Sequence, residues 1–178
     1  MSKFTLLHPA NITSDKFTYN GVNFAIAASS IEYSGHNAYQ YANGAFNSNY
    51  GITANVLPPH WFRLSCDHLF ITDQFNFNAS WDRVYMTVKD YVIEVSKDLS
   101  NWTQVYKGVV PETTEYTSVC SFNPVVCKAI RIKILTTYDR RGYTWSVIRN
   151  SKVYGKFVDN HYTYNNDNNS YGIKKEGE

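Results

Sequence analysis

The feature that most constrains the fold of this chain is a two-residue alternation of apolar and polar side chains. In YVIEVS, Tyr91, Ile93 and Val95 share one face, and in AIRIKIL three isoleucines alternate with Arg131 and Lys133. Successive side chains of a β-strand point to opposite faces of its sheet, so this period predicts strands with one buried face. The spacing does not match the 3.6-residue period of an amphipathic helix.

Further strand candidates follow along most of the chain. Clusters of Asn, Gly, Pro, Ser and Asp separate them, as expected for turns. The candidates are 24–28, 61–66, 68–77, 103–106, 116–122 and 152–157. Helical structure is expected nowhere beyond a turn near 37–42. Many short strands at this spacing predict an all-β fold, an antiparallel sandwich or barrel with little helix.

Composition and charge exclude several classes of protein. The 178 residues are 43% hydrophobic and 18% charged, which is typical of one folded domain and not of a disordered chain. The net charge is +2 and no run of Lys or Arg could follow a phosphate backbone, so we expect no nucleic-acid partner. No stretch reaches the roughly 18 apolar residues of a membrane helix. Residues 1–17 do not resemble a secretory signal, so we expect a cytoplasmic or virion-associated protein.

Catalytic and metal-binding motifs are missing from the sequence. It contains no GxSxG, HExxH, phosphate-binding loop or paired-carboxylate motif, and the five histidines show no ligand spacing. Cys66, Cys120 and Cys127 lack a CxxC spacing, so zinc is not expected. We expect reduced thiols, with a Cys120–Cys127 bridge as the alternative in an oxidising setting. The sequence therefore predicts a protein that is not an enzyme and uses no cofactor.

The hairpin YVIEVSKDLSNWTQV carries a resemblance to a known family. An alternating strand ends in Ser, a turn containing Asp follows, and Trp102 precedes the next strand. The stretches AASS, YANGAFNSNY, HWFRLSC, FNPVVCKAIRIKI and KVYG stand in the family's order over residues 25–155. The chain thus resembles discoidin or coagulation-factor C-type domains and is similar to family-32 carbohydrate-binding modules. The resemblance implies a galactose-binding-like jelly-roll β-sandwich at 25–157, an N-terminal extension or first strand at 1–24, and a polar C-terminal tail at 158–178.

Two tryptophans and one arginine take structural roles in the domain that this resemblance implies. Trp61 and Trp102 each stand at one end of an alternating strand, and we expect their rings to plug the barrel. Arg131 is expected either to pair with a carboxylate under the sheet or to face solvent.

The resemblance also implies a ligand-binding region, because related proteins bind ligands with loops at one end of the barrel. The matching loops here are 36–50, 78–85 and 136–145. Aromatic rings stack on the C–H faces of sugars, and planar polar side chains bind the hydroxyls. The ligand-binding candidates are His36, Tyr39, Trp81, Arg83, Tyr85, Tyr138, Arg140, Arg141, Tyr143 and Trp145. For the two tryptophans the alternative is packing over the barrel end, and for the two arginines it is a solvated turn with weak ion pairs.

Many members of this family hold a structural calcium in the first loop, through an Asp beside a Gly and a Glu near the last strand. At the matching positions this chain has Asn43 before Gly44, and Asn150 or Lys152. Losing two carboxylates removes much of the charge that calcium requires, so we predict no metal. The loop tips are mainly polar, so membrane insertion is not expected either.

Two functions are consistent with these features. The first is a non-catalytic module that binds carbohydrate through the loops, with adhesion on a virion or cell surface as its setting. The second is a structural or assembly protein, such as a virion decoration or fibre component or an intracellular scaffold subunit. In that case the tail, which contains tyrosines, would dock on a protein partner or on another copy of the chain. A glycan is the partner we expect first.

Overall fold

The protein is described from a computed structural model. It describes residues 2–31, 42–48, 51–54, 57–80, 88–113, 115–138, 145–158, 162–165 and 170–173, and the backbone alone at 80, 162–165 and 170–173. The strands within these ranges are β1 (Thr5–Leu6), β2 (Lys16–Tyr19), β3 (Val22–Ala28), β4 (Gly51–Ile52), β5 (His60–Ser80), β6 (Asp90–Ser96), β7 (Thr103–Val109), β8 (Glu115–Ile134), β9 (Val147–Phe157), β10 (Tyr162–Asn165) and β11 (Ser170–Ile173). A short 3-10 helix, Ala42–Phe46, precedes β4.

This secondary structure confirms the predicted all-β, antiparallel fold. The strands β1 to β9 form one nine-stranded sheet, and β10 pairs separately with β11. Every strand pair is antiparallel. Among the described residues, no helix has the length and apolar character needed to cross a membrane.

Two long strands, β5 and β8, run through both layers of the sandwich. They pair with each other along almost their whole length, with register shifts between Ser65 and Phe70 and between Thr72 and Gln74. Such bulges bend a strand, and here they carry the paired strands from one layer into the other. The front layer contains β2, β3, the first part of β5, the last part of β8, β6 and β7. The back layer contains the remaining parts of β5 and β8 with β9, β1 and β4.

The alternating residues bury their apolar face between these two layers, as predicted. Ile130, Ile132 and Ile134 of β8 are each 0% exposed. Across the core, Phe77 of the back layer packs edge-on against Tyr91 of the front layer, with ring centroids 4.9 Å apart. Burying one such side chain stabilises the fold by about 1.5–3 kcal/mol.

The predicted strand boundaries are wrong at two places. The segments 61–66 and 68–77 were expected to be separate strands, and both belong to β5. Likewise, 116–122 and the run that contains Arg131 form the single strand β8. The polar residues at these junctions favour turns, but the bulges let the chain change layers without leaving the ladder.

The prediction that the Trp61 and Trp102 rings plug the barrel is wrong. The neighbour of Trp61, Phe62, is fully buried in the core, which places Trp61 on the outward face of β5. The Arg131 Cζ lies 5.9 Å from the Trp61 ring centroid and 3.9 Å from the Trp102 ring centroid. Arg131 also pairs with a carboxylate, since its Nε is 2.6 Å from Glu94 Oε2. Aromatic rings and charged side chains therefore cover the outward face of the front layer.

Strands also lie in the described parts of the N-terminal segment and of the tail. At the N-terminus, β1 pairs with β9, and β2 forms a hairpin with β3 through a turn in which Asn20 and Gly21 have positive φ. Ile12, between β1 and β2, is 1% exposed and belongs to the core. In the polar tail, the backbone of β10 pairs with that of β11.

Candidate functional site

Several loops meet at one end of the sandwich, which we call the loop end. In the front layer, Ile134 pairs with His60 and with Tyr91, so the end of β8 lies beside the starts of β5 and β6. In the back layer, β5 finishes three residues after Phe77, whose ring contacts Tyr91. The segments before β5, between β5 and β6, and between β8 and β9 therefore begin or finish at this end.

Hydrogen bonds hold the base of the loop end together. The backbone N–H of Lys89 donates to the carbonyl of Thr136 at 2.9 Å, and the N–H of Val110 donates to the carbonyl of Lys89 at 2.9 Å. The Thr136 hydroxyl donates to the Asp90 carboxylate and accepts from the Asp90 N–H. These bonds join three segments, which lie just before β6, just after β7 and just after β8. The loops at this end therefore start from backbone that is held in place.

Tyr138 is one of two predicted ligand-binding residues that the structure describes. Its hydroxyl donates to the Val110 carbonyl at 2.8 Å. The Nζ of Lys89 lies 5.6 Å from the centroid of its ring, within range of a cation–π interaction. The hydroxyl is thus engaged within the protein, and the half-buried ring is the part of Tyr138 that is left for a ligand.

Trp145 is the second described candidate. The next residue, Ser146, accepts a hydrogen bond from Thr53 N at 3.1 Å and donates its own N–H to Thr53 Oγ1 at 2.9 Å. The following residue, Val147, pairs with Ile52 of β4. Trp145 is half-buried, and its indole nitrogen is buried. The accessible part of a half-buried tryptophan ring can stack against a sugar.

The other candidates lie outside the described residues. They are His36, Tyr39, Trp81, Arg83, Tyr85, Arg140, Arg141 and Tyr143. The turn expected near 37–42 lies outside them too, except for Ala42, where the 3-10 helix begins. The structure therefore places Tyr138 and Trp145 at the loop end, and the remaining residues stay predictions.

The residues at the family's calcium position do not fit a calcium ion. The side-chain amides of Asn43 and Asn47 both donate to the carbonyl of Ile12, at 3.2 and 2.8 Å, and the backbone N–H of Asn43 donates to Asp15 Oδ1 at 2.7 Å. The N–H of Asn150 donates to the carbonyl of Asn47 at 2.8 Å. Calcium requires several oxygen ligands with negative charge, whereas the Ile12 and Asn47 carbonyls and one oxygen of the Asp15 carboxylate here accept N–H donors. Among the described residues, no three His, Cys, Asp or Glu side chains form a metal site.

None of the three cysteines is an activated nucleophile. All three cysteines are free thiols. Burial raises the pKa of the Cys66 thiol to about 11 and raises the pKa of Cys120 and Cys127 as well. The thiolate is the reactive form of cysteine, so these groups are unreactive near neutral pH.

Sequence reasoning missed one exposed residue near the loop end. Leu57, in the segment that leads into β5, is 80% exposed. A single leucine before two prolines carries no pattern that distinguishes a surface position from a core position. Its exposure depends on the path of the segment over the end of the sandwich.

The sequence matches the F5/8 type C domain over residues 25–151. No curated protein matches it significantly.

Solved structures with the same fold include carbohydrate-binding modules. One from Clostridium perfringens, in complex with GalNAc-β-1,3-galactose, has a TM-score of 0.62 and 12% identity, covering 74% of this chain and 94% of that one. The family-32 module of C. perfringens NanJ, in complex with galactose, has a TM-score of 0.61 and 15% identity over 74% and 93%. A chitosan-binding module from Paenibacillus sp. IK-5, in complex with chitotriose, has a TM-score of 0.59 and 22% identity over 74% and 95%.

Proposed function

Because the chain belongs to the F5/8 type C domain family, we propose that it is a non-catalytic module that binds carbohydrate at the loop end. Three similar modules were solved with sugars bound, namely GalNAc-β-1,3-galactose, galactose and chitotriose. A glycan that presents hexose or hexosamine units is therefore the partner we propose. The shared fold of these modules supports a sugar as the class of ligand.

The observation that carries this proposal is the position of Trp145. It directly precedes Ser146, which two hydrogen bonds hold to Thr53 at the base of the loop end. A ring on a rigid base loses little conformational entropy when it stacks on a sugar. Tyr138 would contribute its ring face, since its hydroxyl is bound to Val110. The predicted residues of the other loops, Trp81 above all, would complete the site.

A non-catalytic role agrees with the chemistry of the described residues. Hydrolysis of a glycosidic bond uses a pair of carboxylic acids on either side of the bond. At the described base of the loop end, Asp90 is bound to the Thr136 hydroxyl and Glu115 is paired with Arg149. Both acids have structural partners there.

The second candidate function is assembly, and the paired strands β10 and β11 favour it. A hairpin of four-residue strands is too short to be stable alone, so packing against another surface would stabilise it. A neighbouring copy or another protein of a virion, or of a cell surface, could supply that surface. The two functions are compatible if the module adheres to glycans as part of an assembly.

A glycan array with two forms of the protein tests the first proposal. We expect the wild-type chain to bind a subset of glycans with terminal hexose or hexosamine, and the Trp81→Ala, Trp145→Ala double variant to lose that binding while remaining folded. Trp102→Phe is the matched control, because Trp102 lies outside the loop end and should leave binding unchanged. No binding by the wild-type chain, or equal binding by the double variant, would contradict the proposal.

A further inference from the structure

The sequence contains two Asn-Gly pairs, and the structure places them in very different surroundings. Asn20 and Gly21 form the two-residue turn between β2 and β3, whereas Asn43 and Gly44 belong to the 3-10 helix. Asparagine is most prone to spontaneous deamidation when glycine follows it, because glycine has no side chain to hinder attack by its backbone nitrogen on the asparagine amide. The reactivity of an exposed pair and of a buried pair can therefore be compared within one chain.

The turn at Asn20 and Gly21 is open to solvent. Both residues are exposed, and a Cβ placed on Gly21 would meet no atom within 4 Å. Their φ angles are 52° and 78°, the left-handed values that a type I′ hairpin turn requires at both central positions. Among the described residues, the Asn20 side-chain amide makes no hydrogen bond, so nothing there holds it away from the Gly21 nitrogen.

Asn43 is protected from the same reaction by its packing. It is 5% exposed, and its side-chain amide donates to the Ile12 carbonyl at 3.2 Å. Its backbone N–H donates to Asp15 Oδ1 at 2.7 Å, and Gly44 is buried as well. Attack on the Asn43 amide requires that amide to leave Ile12 and the backbone to turn. Asn43 would therefore need local unfolding before it could react.

We propose that Asn20 is a site of spontaneous deamidation in the folded protein. The Gly21 backbone nitrogen forms a bond to the Asn20 Cγ, the Cγ–Nδ2 bond breaks, and the proton of the Gly21 N–H goes to the leaving nitrogen, which departs as ammonia. Water then opens the resulting cyclic imide at one of its two carbonyls, which gives aspartate or isoaspartate. The reaction needs no oxidant, reductant or enzyme, and each product adds one negative charge to the turn.

The two products differ in their effect on the hairpin. Aspartate before glycine still favours a type I′ turn, so this product keeps the register of Tyr19 with Val22. Isoaspartate carries the main chain through its side-chain carbon, which lengthens the backbone of the turn and opposes that register. Within the described residues β2 pairs with β3 alone, and the Phe17 ring stacks on Phe24 with centroids 5.0 Å apart. Isoaspartate therefore loosens an edge strand that has no second partner.

Ageing of the native full chain tests this inference. The folded protein is incubated in mildly alkaline buffer, in which the attacking nitrogen loses its proton more readily, and is then digested with pepsin at acid pH so that the digestion adds no deamidation. Mass spectrometry of the peptides that contain residues 20–24 and 42–46 measures both sites against unaged protein. We expect Asn20 to convert at least about tenfold faster than Asn43, because Asn43 reacts only after local unfolding. In urea, where both sites are exposed, the two rates should become similar.

Asn20→Gly is the matched variant for the effect on stability. Glycine adopts positive φ readily and has no side-chain amide, so the turn is kept and the reaction is removed. Ageing should lower the unfolding temperature of the wild-type chain and leave that of Asn20→Gly unchanged. Fresh Asn20→Asp protein, which has the added charge without isoaspartate, should unfold close to the wild-type temperature.

Three results would overturn the inference. The first is an Asn20 amide that stays intact in the folded chain over a time in which the chain in urea converts. The second is equal conversion of Asn20 and Asn43 in the folded chain, which would mean that exposure does not select the site. The third is an equal fall of unfolding temperature in aged wild-type and aged Asn20→Gly protein, which would contradict the consequence given for β2.

Discussion

His8 is 1% exposed and connects the N-terminal segment to β9. Its Nδ1 lies 2.9 Å from the Pro9 carbonyl, and its Nε2 accepts a hydrogen bond from the Val153 N–H at 3.2 Å. Nδ1 therefore carries the proton, and the ring is neutral. Burial lowers the pKa of His8 to about 4, and the charge of Lys152 lowers it further.

This histidine makes stability depend on pH. The pKa of His8 is about 6.5 when unfolded and about 4 when folded, so between these values the unfolded chain binds more protons. Stability should be unaffected by His8 above pH 6.5 and should fall as the pH decreases toward 4. The expected loss from this group is about 2–3 kcal/mol at pH 4.5. Urea unfolding at pH 7.5 and pH 4.5 measures it.

The comparison variant is His8→Leu. It lowers stability at neutral pH, because the Val153 N–H loses its acceptor. Its decrease between the two pH values should be smaller than that of the wild-type chain by the same 2–3 kcal/mol, roughly. Equal decreases would mean that His8 is not responsible for the pH dependence.

Glu94 is the carboxylate that pairs with Arg131 on the outward face of the front layer. Its side chain is 12% exposed and that of Arg131 is 14% exposed, so solvent screens this pair only partly. Removing one partner of a mostly buried pair leaves an uncompensated charge, and that costs more than the pair itself contributes.

We predict that Glu94→Gln lowers the free energy of unfolding by about 2–3 kcal/mol. Lys133→Gln is the control, because its Nζ is 3.7 Å from Glu94 and its side chain is 30% exposed, so its loss should cost under about 1 kcal/mol. Denaturant unfolding of both variants provides the comparison. An equal loss of stability in the two variants would contradict the prediction that the Arg131–Glu94 pair contributes more than the Lys133–Glu94 pair.

At the scale of elements, the pairing of β5 with β9 depends on a glycine. Gly155 pairs with Thr72, and a Cβ at Gly155 would lie 2.7 Å from the carbonyl oxygen of Ile71. That oxygen belongs to the backbone of a paired strand, so it cannot move aside as a flexible side chain could. Here the glycine allows two backbones to approach closely.

Gly155→Ala should therefore destabilise the protein by about 1–3 kcal/mol, the usual cost of overpacking a tight site. The exposed neighbour variant Lys156→Ala tests whether any change in β9 has this effect, and we expect a loss below about 0.5 kcal/mol for it. Thermal unfolding of the two variants measures both stability losses. An unchanged Gly155→Ala variant would mean that β9 can shift away from Ile71.

The elements also explain which parts of the fold were predictable from the sequence. The isoleucines of β8 alternate over a short stretch, and that local period indicates both strand and core face. The bends of β5 and β8 were not predictable, because a bulge depends on pairing with a distant strand. Trp61 illustrates the same limit: its ring size suggested the core, but the register with Phe62 inside places it outside.

At the scale of the whole molecule, the fold provides two different surfaces. The loop end carries Trp145 and Tyr138 on a base that hydrogen bonds hold together. The outward face of the front layer carries Trp61 and Trp102 around Arg131. The binding loops came from the family resemblance and lie largely outside the described residues, so they stay predictions. The hydrogen bond from the Tyr138 hydroxyl to the Val110 carbonyl became visible only in the three-dimensional structure.

The four tryptophans of the chain give a direct test of where carbohydrate binds. Each has one indole N–H, and its NMR signal shifts when a ligand binds nearby. Titrating the 15N-labelled chain with the best galactose- or hexosamine-containing ligand should shift the signals of Trp145 and Trp81 and leave those of Trp61 and Trp102 in place. Single Trp→Phe variants assign the four signals. Shifts confined to Trp61 and Trp102, or no shift for any such sugar, would contradict a carbohydrate site at the loop end.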